Sequence, residues 1–135
     1  MANVTQYNAK DCVITVDNVY ITGLSEDMVT GAKDEEFFST AVGAQGDVII
    51  NEVNNDLGTI TITVQATSPQ KAYLINLAKS GAIVPIWVVN NSENFKERMG
   101  GTKARIKNYP ELTQGTEAED REFEFQVFDF VVETI

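Results

Sequence analysis

"LGTITITVQATSPQKAYLINLAKSG", residues 57–81, writes a strand, a turn and a helix in one line. Ile60, Ile62 and Val64 fall on one side of an extended chain, and Thr59, Thr61 and Thr63 on the other. That is the mark of a strand with one buried and one polar face. The period changes at Ser68-Pro69, because serine is a good N-cap and proline is favoured at the first helical position. Tyr73, Leu74, Leu77 and Ala78 form a helical stripe, which predicts packing on a core. Lys79 suits the negative end of the helix dipole, and Gly81 closes the helix. The spacing predicts a helix over about residues 69–80.

Outward from this stretch, two-residue alternation dominates. In "CVITV" (12–16), Cys12, Ile14 and Val16 share a face, which predicts that Cys12 is a buried structural thiol. Asp17-Asn18 then reads as a tight hairpin into "VYITG", since both residues tolerate positive φ. "DMVTGAK" (27–33) reads as a third strand interrupted by Gly31. Residues 34–47, "DEEFFSTAVGAQGD", fit neither period and read as a long irregular segment, which in a compact domain is usually functional. "VIINEV" (48–53) reads as a strand and "NND" (54–56) as a turn.

"IVPIWVV" (83–89) reads as a strand whose Pro85 demands an edge or a bulge. Residues 90–101 read as a loop with one helical turn after Ser92, and "TKARIK" (102–107) as a strand. "REFEFQVFDFVVETI" reads as one last strand, apolar on both faces beyond Val127, as a strand between layers or under a neighbouring chain would be. The elements together predict a mainly β fold: an antiparallel β-sandwich or barrel with one flanking α-helix.

The chain has 135 residues, most simply one domain spanning 1–135. No apolar run approaches the ~18 residues of a membrane span, so no membrane partner is expected. "MANVTQYNAKD" carries no basic-then-apolar signal, which places synthesis in a cytoplasm. One cysteine rules out an internal disulfide, and the absence of histidine rules out Ser-His-Asp and Cys-His nucleophiles and imidazole metal sites. The acidic runs Asp34-Glu35-Glu36 and Glu117, Glu119, Asp120 read as solvated or interface charge, not as the paired carboxylates of a glycosidase. No catalytic residue, metal or cofactor is expected, and no enzyme activity. A net charge of −10 disfavours gripping nucleic acid, though not guiding it.

Charge is unevenly placed. Lys96, Arg98, Lys103, Arg105 and Lys107 are half of the basic residues, and acids including Glu117, Glu119 and Asp120 come directly after them. Two readings fit: cross-strand pairing within the domain, or complementary patches between identical subunits that set register and partner choice.

Six stretches, "KDCVITVDNVYITG" (10–23), "KDEEFFSTAVGAQGDV" (33–48), "NNDLGTITITVQATSPQ" (54–70), "LAKSGAIVPIWVVNNS" (77–92), "GGTKARI" (100–106) and "REFEFQVFD" (121–129), resemble in order the small tail tube proteins of long-tailed bacterial viruses and prophages. Where such hairpins often read Asp-Gly, this chain has Asp17-Asn18. The resemblance implies a virion tail protein, made in the bacterial host cytoplasm, that forms hexameric rings stacked into a hollow tube. Two packed sheets flanked by a helix would make the subunit, and viral DNA would pass through an acidic lumen without specific binding. Tail sheath, tape measure, terminator and baseplate proteins would be partners, since the family is often found with contractile tails. A loop reaching the adjacent ring would fall at 34–47, with Asp34, Glu35, Glu36, Phe37, Phe38 and Asp47 as its contact residues. A terminator or baseplate ring of the same fold is the alternative, and a carbohydrate-binding β-sandwich a more distant one.

Overall fold

The computed structural model describes residues 4–92 and 96–135. The helical turn expected after Ser92 lies outside the described residues. Strands β1 (Cys12–Val16) and β2 (Val19–Tyr20) form the expected hairpin. Asp17 and Asn18 both take the left-handed conformation, φ 51° and 64°, which matches the twist of the flanking strands. The chain continues through β3 (Leu24–Lys33), β4 (Phe38–Val42), β5 (Val48–Glu52), β6 (Gly58–Val64), helix α1 (Lys71–Ser80), β7 (Val84–Asn90), β8 (Glu97–Ile106), β9 (Arg121–Val127) and β10 (Val131–Thr134).

Strand pairing runs in the order β2-β1-β7-β8-β9-β6-β3, antiparallel throughout, with β10 also on β8. Among the described residues β4 and β5 pair only with each other. Ile14 and Val16 of β1 share one core cluster with Ile60 and Ile62 of β6, with Ile86 of β7 and with Phe123 and Phe125 of β9. Strands far apart along the path bury the same cluster, so the sheet folds over on itself as a sandwich-like layer pair. Each of those side chains contributes roughly 1.5–3 kcal/mol by leaving water. The structure is mainly β with one flanking helix, as the alternation predicts.

The helix starts later than expected, at Lys71. Ser68 does not cap it: its hydroxyl donates to the Thr22 carbonyl at 2.7 Å, and Gln70 occupies the cap position without a side-chain cap bond. The Gln70 side-chain oxygen accepts from the Thr22 amide and hydroxyl. Ser68 and Gln70 therefore clamp the β2–β3 connection to the helix entrance. Leu74 is fully buried, and Tyr73, Leu77 and Ala78 pack half-buried on the core. Gly81, at φ 69°, ends the helix with its amide on the Leu77 carbonyl.

Other expectations need correcting. Residues 34–47 are not irregular throughout: 38–42 is strand β4. Residues 97–101 are not loop but the start of β8, where Gly100 and Gly101 allow the close approach of Ile86, Trp87 and Asp129. The last strand is two, because the chain breaks at Phe128-Asp129 and restarts as β10 on the same edge of β8. Cys12 is half-buried rather than buried, its sulfur 3.4 Å from the Tyr7 hydroxyl. Pro85, expected at an edge or a bulge, takes the second place: it sits in an interior strand at the register shift between Val84 and Ile86, and its carbonyl accepts the Asp17 amide at 2.8 Å.

Candidate assembly interface

The β4–β5 hairpin stands off the main sheet with every residue exposed. In its register Thr40 faces Ile50 and Val42 faces Val48, so Phe38, Val42, Val48 and Ile50 lie on one side of a two-stranded ribbon. Phe37 is 72% exposed and Ile50 61%. A two-stranded ribbon is marginally stable by itself and gains most from covering its apolar side.

Its base is tied down. The Asp34 amide donates to the Leu57 carbonyl and the Val53 amide to the Phe37 carbonyl, each at 2.9 Å. The Asp34 carboxylate accepts from the Thr59 hydroxyl at 2.6 Å and from the Gln126 amide at 2.9 Å. The Thr59 and then the Gln126 bond hold this carboxyl below its ordinary value, with Lys107 and Lys33 nearby adding to them against a smaller burial effect. Glu35 accepts from Asn55, and the Lys33 ammonium lies 5.0 Å from the Phe37 ring. Asp34 and Glu35 are thus anchors within the chain. Glu36, Phe37 and Phe38 are exposed, and Asp47 closes the turn by accepting the Gly43 amide.

The basic residues separate into two groups. Arg98 joins Glu133 at 2.8 Å, the one ion pair among the described residues, and stacks 4.8 Å over Trp87. Lys103, Arg105 and Lys107 are exposed at alternate positions of the segment 103–107, whose intervening Ala104 and Ile106 are buried. Lys107 reaches the Thr59 hydroxyl at 3.3 Å, and Arg105 lies beside Gly81 at the end of α1. Lys96 is exposed. None of these five pairs with Glu117, Glu119 or Asp120 among the described residues. Instead Glu119 and Asp120 line a cleft of about 1130 Å³ together with Glu26, Asp27, Glu97 and Glu122. Glu117 is exposed beside it in sequence.

Two residues escape the sequence reading. Arg121 is 4% exposed and donates to the carbonyls of Glu119 and Asp120 at 2.8 and 3.3 Å; its alternation with Phe123 and Phe125 does place it on the core side. Asp129, inside the apolar run 127–132, accepts the amides of Thr102 and Lys103, each at 3.1 Å.

Among the described residues no cluster of three or more acids, cysteines or histidines is arranged to hold a metal ion, and no helix is long and apolar enough to cross a membrane. Residues 12–108, from β1 through β8, match the family model of the bacteriophage PhiTE tail tube protein. The chain belongs to the tail tube protein family. Membership makes it a structural component of a phage-like tail. No curated protein matches it. Solved structures share the fold of this tail tube family member. A chain of the sheath–tube complex of the extracellular contractile injection system PVC, in the extended state, matches with a TM-score of 0.65 at 11% identity, covering 96% of this chain and 93% of that one. The tube-terminating cap of the anti-feeding prophage matches at 0.64 and 10%, covering 100% and 95%. The PVC sheath/tube terminator matches at 0.63 and 11%, covering 98% and 99%.

Proposed function

We propose that this protein forms hexameric rings that stack into the hollow tube of a phage-like tail, through which viral DNA passes without specific binding. The β4–β5 hairpin makes the contact between rings. The observation that carries this reading is that hairpin: an ordered, base-anchored arm with a bare apolar side, in a chain of the tail tube family. Ring-to-ring contact covers what the isolated subunit leaves wet. The net charge of −10 suits an acidic lumen that repels phosphate backbones. Sheath, tape measure, terminator and baseplate proteins are the partners such a tube requires in a virion tail assembled in the host cytoplasm.

Replacing residues 38–52 with a short Gly-Ser link tests the reading. The variant is expected to stay folded and to lose tube formation in negative-stain microscopy, where the unaltered protein should give long tubes. Normal tubes from the variant would refute the role of the hairpin. The second reading is a tube terminator, favoured by the likeness to one cap and one terminator structure. A terminator does not stack on itself, so isolated rings without tubes from the unaltered protein would select it.

A further inference from the structure

The β8–β9 ladder carries a charge gradient along its outer face. Lys103 lies level with Phe128, whose amide donates to the Lys103 carbonyl at 2.9 Å, and Lys107 lies level with Glu124, whose carbonyl accepts the Lys107 amide at 2.9 Å. From one end the side chains run Lys103, Arg105, Lys107, with Glu124 opposite Lys107, and beyond that pair come Glu122, Asp120 and Glu119. From Phe128 to Asp120 an extended chain covers roughly 27 Å, at about 3.4 Å per residue.

The acidic end is built. Arg121, buried beneath it, holds the backbone of Glu119 and Asp120 through its two carbonyl bonds, so that both residues, themselves exposed, stand at the cleft. No lysine or arginine among the described residues lines that cleft. Within the chain the two ends do not satisfy each other, since the only ion pair among the described residues is Arg98–Glu133.

Two complementary but different surfaces on one chain make a head-to-tail contact, which closes rings or builds stacks, where a two-fold contact would stop at a dimer. We propose that the β8 outer face of one copy, through Lys103 and Arg105 with Lys107 beside them, docks on the acidic cleft mouth of the next copy at Glu119, Asp120 and Glu122. The occupant is a second copy of this chain, chosen by charge complementarity. This rests on the reading of the chain as a tube subunit and says which surfaces meet.

A charge-swap experiment tests it. The face variant is Lys103→Glu/Arg105→Glu, and the mouth variant is Glu119→Lys/Asp120→Lys. Lys71→Glu/Lys79→Glu, both on helix α1 and neither on β8 nor lining the cleft, matches the face variant in net charge. Each of the first two alone should assemble at least about tenfold more slowly than the unaltered protein, as like charges then meet. An equimolar mixture should recover, because each altered face then finds its opposite in the other variant. The control should assemble faster than the face variant. If a double variant fails to fold, Lys103→Glu and Glu119→Lys, both at exposed positions, give the same comparison. Zero-length carbodiimide coupling of assembled, mixed ¹⁴N and ¹⁵N protein should join Lys103 or Lys107 to Glu119, Asp120 or Glu122 of a differently labelled copy. No recovery in the mixture, a control as slow as the face variant, or coupling only within single copies would overturn the docking while leaving the tube reading intact. Failure of the unaltered protein to associate at all would remove both.

Discussion

Asp129 replaces a length of strand beside Thr102. Its carboxylate takes the Thr102 amide and hydroxyl and the Lys103 amide, the ladder donors left over where β9 ends and β10 has not begun. One edge of β8 thereby serves two strands. Asp129→Ala strips these donors of their acceptor at a half-buried site, which should cost about 1–2 kcal/mol, below the range for hydrogen bonds to a fully buried charge. Amide exchange should quicken in 131–135 more than in β9. Equal protection of β10 in the variant would show that the carboxylate does not hold it.

Acid should act through two carboxylates. Burial pushes the Asp129 carboxyl up, but the Thr102 hydroxyl and the Thr102 and Lys103 amides outweigh it and hold the group below the ordinary value; Asp34 is lowered too, chiefly by Thr59 and Gln126. A group with a depressed folded pKa adds stability above its unfolded value, about 3.9, and loses it as pH falls through the folded one. Melting temperature should be insensitive to these groups from pH 7 to about 5 and drop below about 4. In Asp34→Asn/Asp129→Asn the drop should be shallower, and an unchanged acid limb would assign it elsewhere.

Gly100 has φ 149° and faces the Ile86 carbonyl so closely that a side-chain carbon cannot fit without moving backbone. Gly100→Ala should destabilise by about 2–3 kcal/mol. Gly115→Ala, where nothing lies within 4 Å of the added carbon, should stay within about 0.5 kcal/mol. Urea melts showing the two variants alike would contradict the close approach.

The arm invites a gentler change than deletion. Val42→Thr/Val48→Thr/Ile50→Thr keeps β propensity and removes apolar surface from residues that are all exposed. Thermal stability should move by no more than about 0.5 kcal/mol, while tube yield in microscopy should collapse. Retained yield would mean that polar contacts, not this apolar side, join the rings.

Salt separates net charge from local complementarity. Exposed ion pairs are worth only ~0–1 kcal/mol each, whereas a charge of −10 on every subunit opposes each approach over a Debye length of ~8–10 Å. Assembly monitored by light scattering should speed up from low to moderate salt. Slowing over that range would mean that the local contacts dominate.

Much of the fold is legible because burial is one-sided. β6 and β9 alternate buried and open residues along their whole length, and β7 does so until its last residue. That alternation is visible in the residues themselves. β4 is hidden for the opposite reason. All five of its residues are exposed, so nothing selects apolar side chains at every second position, and "FSTAV" reads as irregular. Gly100-Gly101 looks like a loop because glycine signals either a turn or a close approach, and only the neighbouring strand decides which. The basic group is visible as a cluster, yet its division is not, because Glu133, the partner of Arg98, lies 35 residues away.

The arm is local in the chain while the body is not. β4 and β5 meet across the short turn 43–47, so their pairing takes about 1–10 μs once both exist. β6 must wait for β9, which is complete only at Val127. At about 5–20 residues per second, a ribosome needs roughly 4–15 s to make the intervening chain. Each nascent subunit therefore exposes the ribbon's apolar side, without the anchors that β6 and β9 supply, for seconds before its own body closes, alongside others on the same polysome. The period of greatest risk for premature joining is set by the translation time of residues 53–127, and synonymous codons that slow that stretch should lower the soluble yield with no change in the protein made.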